Sequence, residues 1–148
     1  MNTFKESEQY QLIWKIRRLF RAMGSYANQY LEELSITAPE RAVMEFLLEE
    51  KLTVPEIAAK FDVSRQHIQT NVNSLIEKDL VKTEINPRHR RSNLIVLTEQ
   101  GGQLFKEITQ KDRFAVQILF ENVSQADCKQ SLDTINKMLN NLKEGSLK

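Results

Sequence analysis

The sequence predicts a mainly α-helical fold that carries one small β-hairpin, and three observations lead there. Only 4 glycines and 3 prolines occur in 148 residues, which favours long helices over the frequent turns of an all-β sandwich. Apolar residues recur at steps of three and four along most of the chain, the spacing of one helix face. Between Val81 and Leu97 the period becomes extended, and Asn86-Pro87 interrupts it. The length suits a single domain, 1–148, able to bury a core without disulfides or metals. Hydrophobic residues at 41% and charged residues at 28% are ordinary for a soluble globular protein.

The first element is a long amphipathic helix over Glu6 to Leu34. One apolar row runs Leu12, Ile16, Leu19, Met23, Tyr26, Tyr30, and a second runs Ile13, Phe20, Ala27, Leu31. Such a helix of ~28 residues reaches ~40 Å, more than a small core needs. Part of its face is therefore expected to pack on another chain. Two similar helix starts follow, Thr37-Ala38-Pro39-Glu40 and Thr53-Val54-Pro55-Glu56. In each, Thr can cap, Glu stands three residues on as in a capping box, and Pro is tolerated in the first turn because its missing N–H would be unpaired anyway. The first of these helices is expected to reach about Glu50, with Val43, Phe46 and Leu47 inward, and the second to span Pro55 to Phe61. Asp62-Val63 makes a turn, and Ser64 caps a third helix to about Lys78. Val81–Ile85 and Leu94–Leu97 read as strands. Thr98 caps a long helix to about Glu121, with Leu104, Phe105, Ile108, Ala115, Val116, Leu119 and Phe120 apolar. Ser124-Gln125-Ala126-Asp127 opens a last helix, with Cys128, Leu132, Ile135, Met138, Leu139 and Leu142 on one side and Gly145 at its end.

A short helix, a tight turn and a longer helix form a helix-turn-helix, whose second helix presents its N-terminal residues to a DNA major groove. At ~100° per residue, Ile68, Val72, Leu75 and Ile76 share an inward face. Gln66, Thr70 and Asn73 lie opposite, with His67, Gln69 and Ser74 at the margins and Ser64 and Arg65 at the start. The first ten residues of this stretch contain no acid. Asn and Gln can pair with adenine and Thr can touch the thymine methyl, so half-sites containing A·T are expected. Ser74 and Glu77 are better read as solvated polar residues.

Charge is segregated. The chain carries a net +1, yet Ser64–Leu97 holds six Lys/Arg against three acids, leaving fifteen against seventeen elsewhere. Three arginines and a histidine, Arg88, His89, Arg90 and Arg91, occupy consecutive positions in the hairpin turn. A hairpin after a helix-turn-helix is a wing. A cationic wing tip can meet phosphates or enter a narrow A·T minor groove, with strong salt dependence.

These features together resemble the MarR family of winged-helix transcriptional regulators, and the resemblance covers almost the whole chain. Family wings read D-P-x-D-R-R-x, then an apolar strand ending L-T-x-x-G. Here the residues are Asn86-Pro87-Arg88-His89-Arg90-Arg91-Ser92, then Leu94–Leu97 and Thr98-Glu99-Gln100-Gly101. Ile57-Ala58, Val63-Ser64-Arg65 and Leu75 through Val81 match the family's helix-turn-helix pattern. The resemblance implies a winged helix-turn-helix over 37–97 and helical dimerisation parts over 1–35 and 99–145. It implies a homodimer on a pseudo-palindromic operator of double-stranded DNA and often a small-molecule effector, and the protein is read as a repressor. Arg90 takes the position of the family's minor-groove arginine. Three positions depart from the pattern: Asn86 and His89 replace aspartates of the wing, and Asp79 replaces a glycine whose place calls for a left-handed backbone.

In this family the cleft between the dimer helices and the winged domain often takes aromatic anions. Arg17 and Arg21, with Trp14, Tyr26 and Tyr30, are the candidate lining, although aromatic residues at helical spacing more often belong to a core. The single cysteine, Cys128, cannot form an internal disulfide and fits a reducing cytoplasm. As a thiol redox sensor it lacks a basic neighbour on the preceding helical turn, so an inert thiol is the better reading. Two histidines and one cysteine are too few for a regulatory metal cluster, and no metal or cofactor is expected. No apolar run approaches ~18 residues, so no membrane span is expected, and the N-terminus lacks a signal peptide's apolar stretch. No Gly-rich phosphate loop, no paired carboxylates beside a histidine and no G-x-S-x-G occur, so no enzyme activity is expected. The competing functions are a winged-helix protein–protein adaptor, disfavoured by the cationic wing, and a redox regulator using Cys128.

Overall fold

A computed structural model of the protein describes residues 5–145; residues 1–4, part of the segment read for a signal peptide, and 146–148 lie outside the described residues. The described elements are α1 (Glu8–Glu33), α2 (Ala38–Leu47), β1 (Leu52–Thr53), α3 (Val54–Phe61), α4 (Arg65–Glu77), β2 (Val81–Glu84), β3 (Leu94–Leu97), α5 (Glu99–Leu119) and α6 (Gln125–Gly145). The mainly helical fold with a β-hairpin wing is therefore observed. The chain divides into two compact units, residues 1–111 and 112–148.

In the first unit each helix starts where a side chain satisfies its orphan amides. The Thr37 hydroxyl accepts from the Glu40 amide at 3.3 Å, and the Glu40 carboxylate accepts from the Thr37 amide at 3.1 Å. Thr53 and Glu56 repeat the arrangement for α3 at 3.3 and 2.7 Å. Helix α3 ends at Asp62, in the left-handed region at φ 53°, and the turn passes to Ser64, which caps α4 by accepting from the His67 amide. Helix α4 is closed by Asp79 at φ 58°, where the Leu80 amide donates to the Leu75 carbonyl at 3.0 Å. Asp79 thus takes the left-handed turn its position calls for without a glycine.

The core of this unit joins Leu31, Val43, Met44, Ile57, Ile68, Val72, Leu75, Val81 and Ile108. Ile76, expected inward, stands 37% exposed at the edge of that face. Helix α1 gives the core only Tyr30 and Leu31 as buried residues, because its remaining apolar rows have nothing within the unit to cover them. The sheet is antiparallel in the order β1-β3-β2, with Val81 opposite Leu97 and Glu84 opposite Leu94. Strand β1, which the sequence does not reveal, pairs Leu52 with Ile95 and Thr53 with Leu94.

A three-way junction ties the end of α4 to the start of α5. The Thr98 amide donates to the Leu80 carbonyl at 3.1 Å, and its hydroxyl donates to the Asp79 carbonyl at 2.6 Å while accepting from the Gly101 amide at 3.0 Å. A Cβ on Gly101 would overlap the Leu80 carbonyl oxygen.

The second unit holds the end of α5 and helix α6, joined by a turn with Asn122 at φ 62°. Ser124 caps α6 by accepting from the Asp127 amide at 3.0 Å. No residue of α6 is buried, and Leu132, Ile135, Leu139 and Leu142 are exposed along it.

Candidate nucleic-acid interface

Helix α4 buries Ile68, Val72 and Leu75, so 3.6-residue geometry turns Arg65, Gln66, Gln69, Thr70 and Asn73 to the outside. Those five side chains and Arg91 of the wing line one groove of about 630 Å³ between α4 and the hairpin. No acidic side chain is among its lining residues. Thr83, Ser92, Asn93 and Ile95 complete the wing side, and Val54 and Pro55 at the start of α3 complete the other. These six were not singled out from sequence. Thr83 and Ile95 are cross-strand partners, so strand alternation puts them on one face once the register is known.

Hydrogen bonds within α4 set what its exposed face offers. The Gln69 side-chain amide donates to Asn73 Oδ1 at 2.8 Å, which ties two exposed amides of the face together. The Thr70 hydroxyl donates to the Gln66 carbonyl at 3.0 Å, which pins its rotamer and leaves its methyl exposed. Asn71 donates to the His67 carbonyl at 3.0 Å and lies 3.4 Å from the His67 ring. The Ser64 hydroxyl is engaged in capping.

In the wing, Asn86 is 7% exposed, and its Oδ1 accepts from the Arg88 amide at 3.0 Å. The side-chain carbonyl that an aspartate would supply there is thus supplied by an amide, and the turn keeps its geometry. Arg88, His89, Arg90 and Arg91 are all exposed. At the wing base the Glu84 carboxylate sits 2.7 Å from Lys51, whose hydrogen bond holds it below the usual carboxylate range. That acid is engaged by Lys51.

Ser74 differs from its sequence reading. It is half-buried, and its hydroxyl donates to Glu40 at 2.6 Å instead of meeting solvent, because the face of α4 beside Val72 and Leu75 packs on α2.

The five residues considered for a ligand cleft lie along α1. Tyr30 is a core residue and Tyr26 meets it edge to face at 6.0 Å. Trp14 is exposed, with Arg18 and Lys15 at 5.6 and 5.9 Å from its ring, and Arg17 and Arg21 are exposed. A second groove, of about 470 Å³, is lined by Leu34, Ser35, Lys78, Leu80, Gln100, Gln103, Leu104 and Glu107. No described helix is long and apolar enough to cross a membrane. Among the described residues no group of three His, Cys, Asp or Glu is placed to hold a metal ion.

Comparison with known proteins agrees with this geometry. Residues 34–92, from the end of α1 into the turn of the wing, match the MarR family. Uncharacterized proteins Rv2011c of Mycobacterium tuberculosis and Mb2034c of Mycobacterium bovis are 35% identical over 92 residues, 62% of this chain. The chain spans just under two thirds of the length of these relatives, 64%. Among solved structures, a MarR family transcription regulator superposes with a TM-score of 0.89 at 20% identity, over 99% of this chain and 98% of its own. A mutant of MepR from S. aureus gives 0.77 at 23%, covering 87% and 96%, and apo MarR from E. coli gives 0.73 at 22%, covering 86% and 96%. At these identities the likeness is one of fold. Residues 34–92 are therefore similar to the MarR family, and the chain has the fold of solved MarR-family regulators.

Proposed function

We propose that this protein is a sequence-specific DNA-binding transcriptional regulator, a repressor, that acts as a homodimer on a pseudo-palindromic operator. The observation that carries this reading is the groove joining Arg65, Gln66, Gln69, Thr70 and Asn73 of α4 to Arg91 of the wing with no acidic lining. Amides and hydroxyls are the groups that read base edges, and arginines are the groups that hold phosphates or enter minor grooves. The rest of the wing extends the cationic surface beyond the groove with Arg88 and Arg90, and His89 is exposed between them. Dimerisation is supported by apolar side chains that a lone chain leaves in water, among them Phe20 at 73% and Leu142 at 70% exposure. A two-fold dimer carries two copies of α4, which match successive major grooves when ~34–36 Å apart. A small-molecule effector would release the DNA by favouring a different spacing, which requires unequal affinity for the two states.

The test is selection from a random duplex library at two salt concentrations, with Arg90→Ala beside the wild type. The expected result is a pseudo-palindrome with half-sites about ten base pairs apart. Arg90→Ala should bind it more weakly and with a salt slope smaller by about one if Arg90 neutralises a phosphate. Weak binding without sequence preference would remove the regulator reading and put the protein–protein adaptor first.

A further inference from the structure

Glu40 is the only buried charged residue among the described ones, at 3% exposure. Its Oε1 accepts from the Ser74 hydroxyl at 2.6 Å, and its Oε2 accepts from Lys78 Nζ at 2.8 Å and from the Thr37 amide at 3.1 Å. Lys78 Nζ also donates to the Ser35 carbonyl at 2.8 Å, in the turn that follows α1. One carboxylate thus gathers the start of α2, Ser74 of α4 and Lys78 at the C-cap of α4, and its lysine partner reaches the turn after α1.

Capping alone does not account for this. The second T-x-P-E start makes the same local box with Glu56, and Glu56 remains at the surface. Only Glu40 is buried and takes donors from α4. A buried carboxylate stripped of partners is costly, so α4 cannot turn about its axis or slide without a large penalty. Ser74 and Lys78 lie on the inward side of the helix that presents Gln66, Gln69, Thr70 and Asn73 outward, and whatever fixes one side fixes the other.

We propose that Glu40 is a positioning residue for DNA reading: through Ser74 and Lys78 it sets the rotation of α4, and with it the alignment of the outward amides to base edges. This role rests on the DNA-binding reading above. It predicts that losing the clamp lowers discrimination between sequences more than it lowers attraction to DNA, since the wing arginines act on phosphates whatever the setting of α4.

The experiment measures, for the full chain, the ratio of affinities for the selected operator and for a random duplex, together with the urea midpoint. Glu40→Gln keeps the side-chain size and a residue that serves in a capping box while removing the charge. Its ratio should fall about tenfold, as expected for loss of a hydrogen-bonded charge, with random-duplex affinity unchanged. Ser74→Ala removes a single hydroxyl, and its ratio should fall by a smaller factor that vanishes in the Glu40→Gln background, the mark of a shared interaction. If Glu40→Gln does not fold, Ser74→Ala decides by the same ratio. Ratios that stay within about twofold of the wild type for the folded variants, even as the urea midpoint drops, overturn the positioning role and leave Glu40 a stabilising residue only. A wild type that selects no operator overturns the DNA reading and this role with it; a wild type that selects one beside variants that keep its ratio overturns this role alone.

Discussion

Glu40 answers to two opposed forces. Burial pushes its carboxyl pKa up, whereas the hydrogen bonds from Lys78, Ser74 and the Thr37 amide, with the charge of Lys78, pull it down, and the net is a value below the ordinary 4.5. A carboxyl lowered in the folded state adds stability above its unfolded pKa and loses it as pH falls through the folded value. Urea midpoints taken between neutral and about pH 3.5 should fall more steeply for the wild type than for Glu40→Gln, and parallel curves would show that the clamp carries no pH-linked stability. The Thr37–Glu40 box was legible from sequence because a cap is local, three residues apart. Its bonds to Ser74 and Lys78 were not, since they join positions 34 and 38 apart, where periodicity says nothing. For the same reason Ser74, at the margin of the polar face, read as solvated.

Helix ends and strands were legible to different degrees. Helices α1 to α6 follow their periodicity, with ends that move by a few residues, as at α2, which stops at Leu47 instead of reaching about Glu50. Strand β1 escaped because two residues have no period; Leu52 and Thr53 become a strand only by pairing with β3. The groove between α4 and the wing was legible on the helix side and only partly on the hairpin side, where Thr83 and Ile95 enter through sheet register and Ser92 and Asn93 through the turn. The motif ending in Gly101 was recognisable as a pattern, and the junction gives its cause. Thr98 bridges two chain segments, and Gly101 lets α5 lie against the Leu80 carbonyl. Gly101→Ala drives a methyl into the Leu80 carbonyl and against the Leu97 side chain, so a stability loss of about 1–3 kcal/mol is expected despite alanine's better helix propensity. Thermal or urea unfolding reads it, and a variant as stable as wild type would mean the junction yields freely.

For the molecule as a whole, the question is what covers the apolar faces of α1 and α6. The sequence announced the excess, since a helix of ~40 Å exceeds what one small core can use, and the structure places Leu12, Leu19, Phe20 and Met23 of α1 and Leu132, Ile135, Leu139 and Leu142 of α6 in the open. On the homodimer reading, sedimentation over a dilution series should give a dimer, and Leu139→Glu should shift it toward monomer by burying a charge at the contact. A monomeric wild type at tens of micromolar, on the order of ordinary assay concentrations, would remove that reading. Helix α6 buries none of its own residues, and that bears on how the protein is counted in a cell. On the homodimer reading, an unpaired copy would offer a long, unprotected helix to proteases and holdases, whereas pairing through α6 would hide it. Abundance should therefore climb faster than synthesis, with newly made chains discarded until enough accumulate to find each other. A pulse-chase at low and high expression reads this directly: half-life lengthens with dose if pairing protects the chain, and stays constant if it does not.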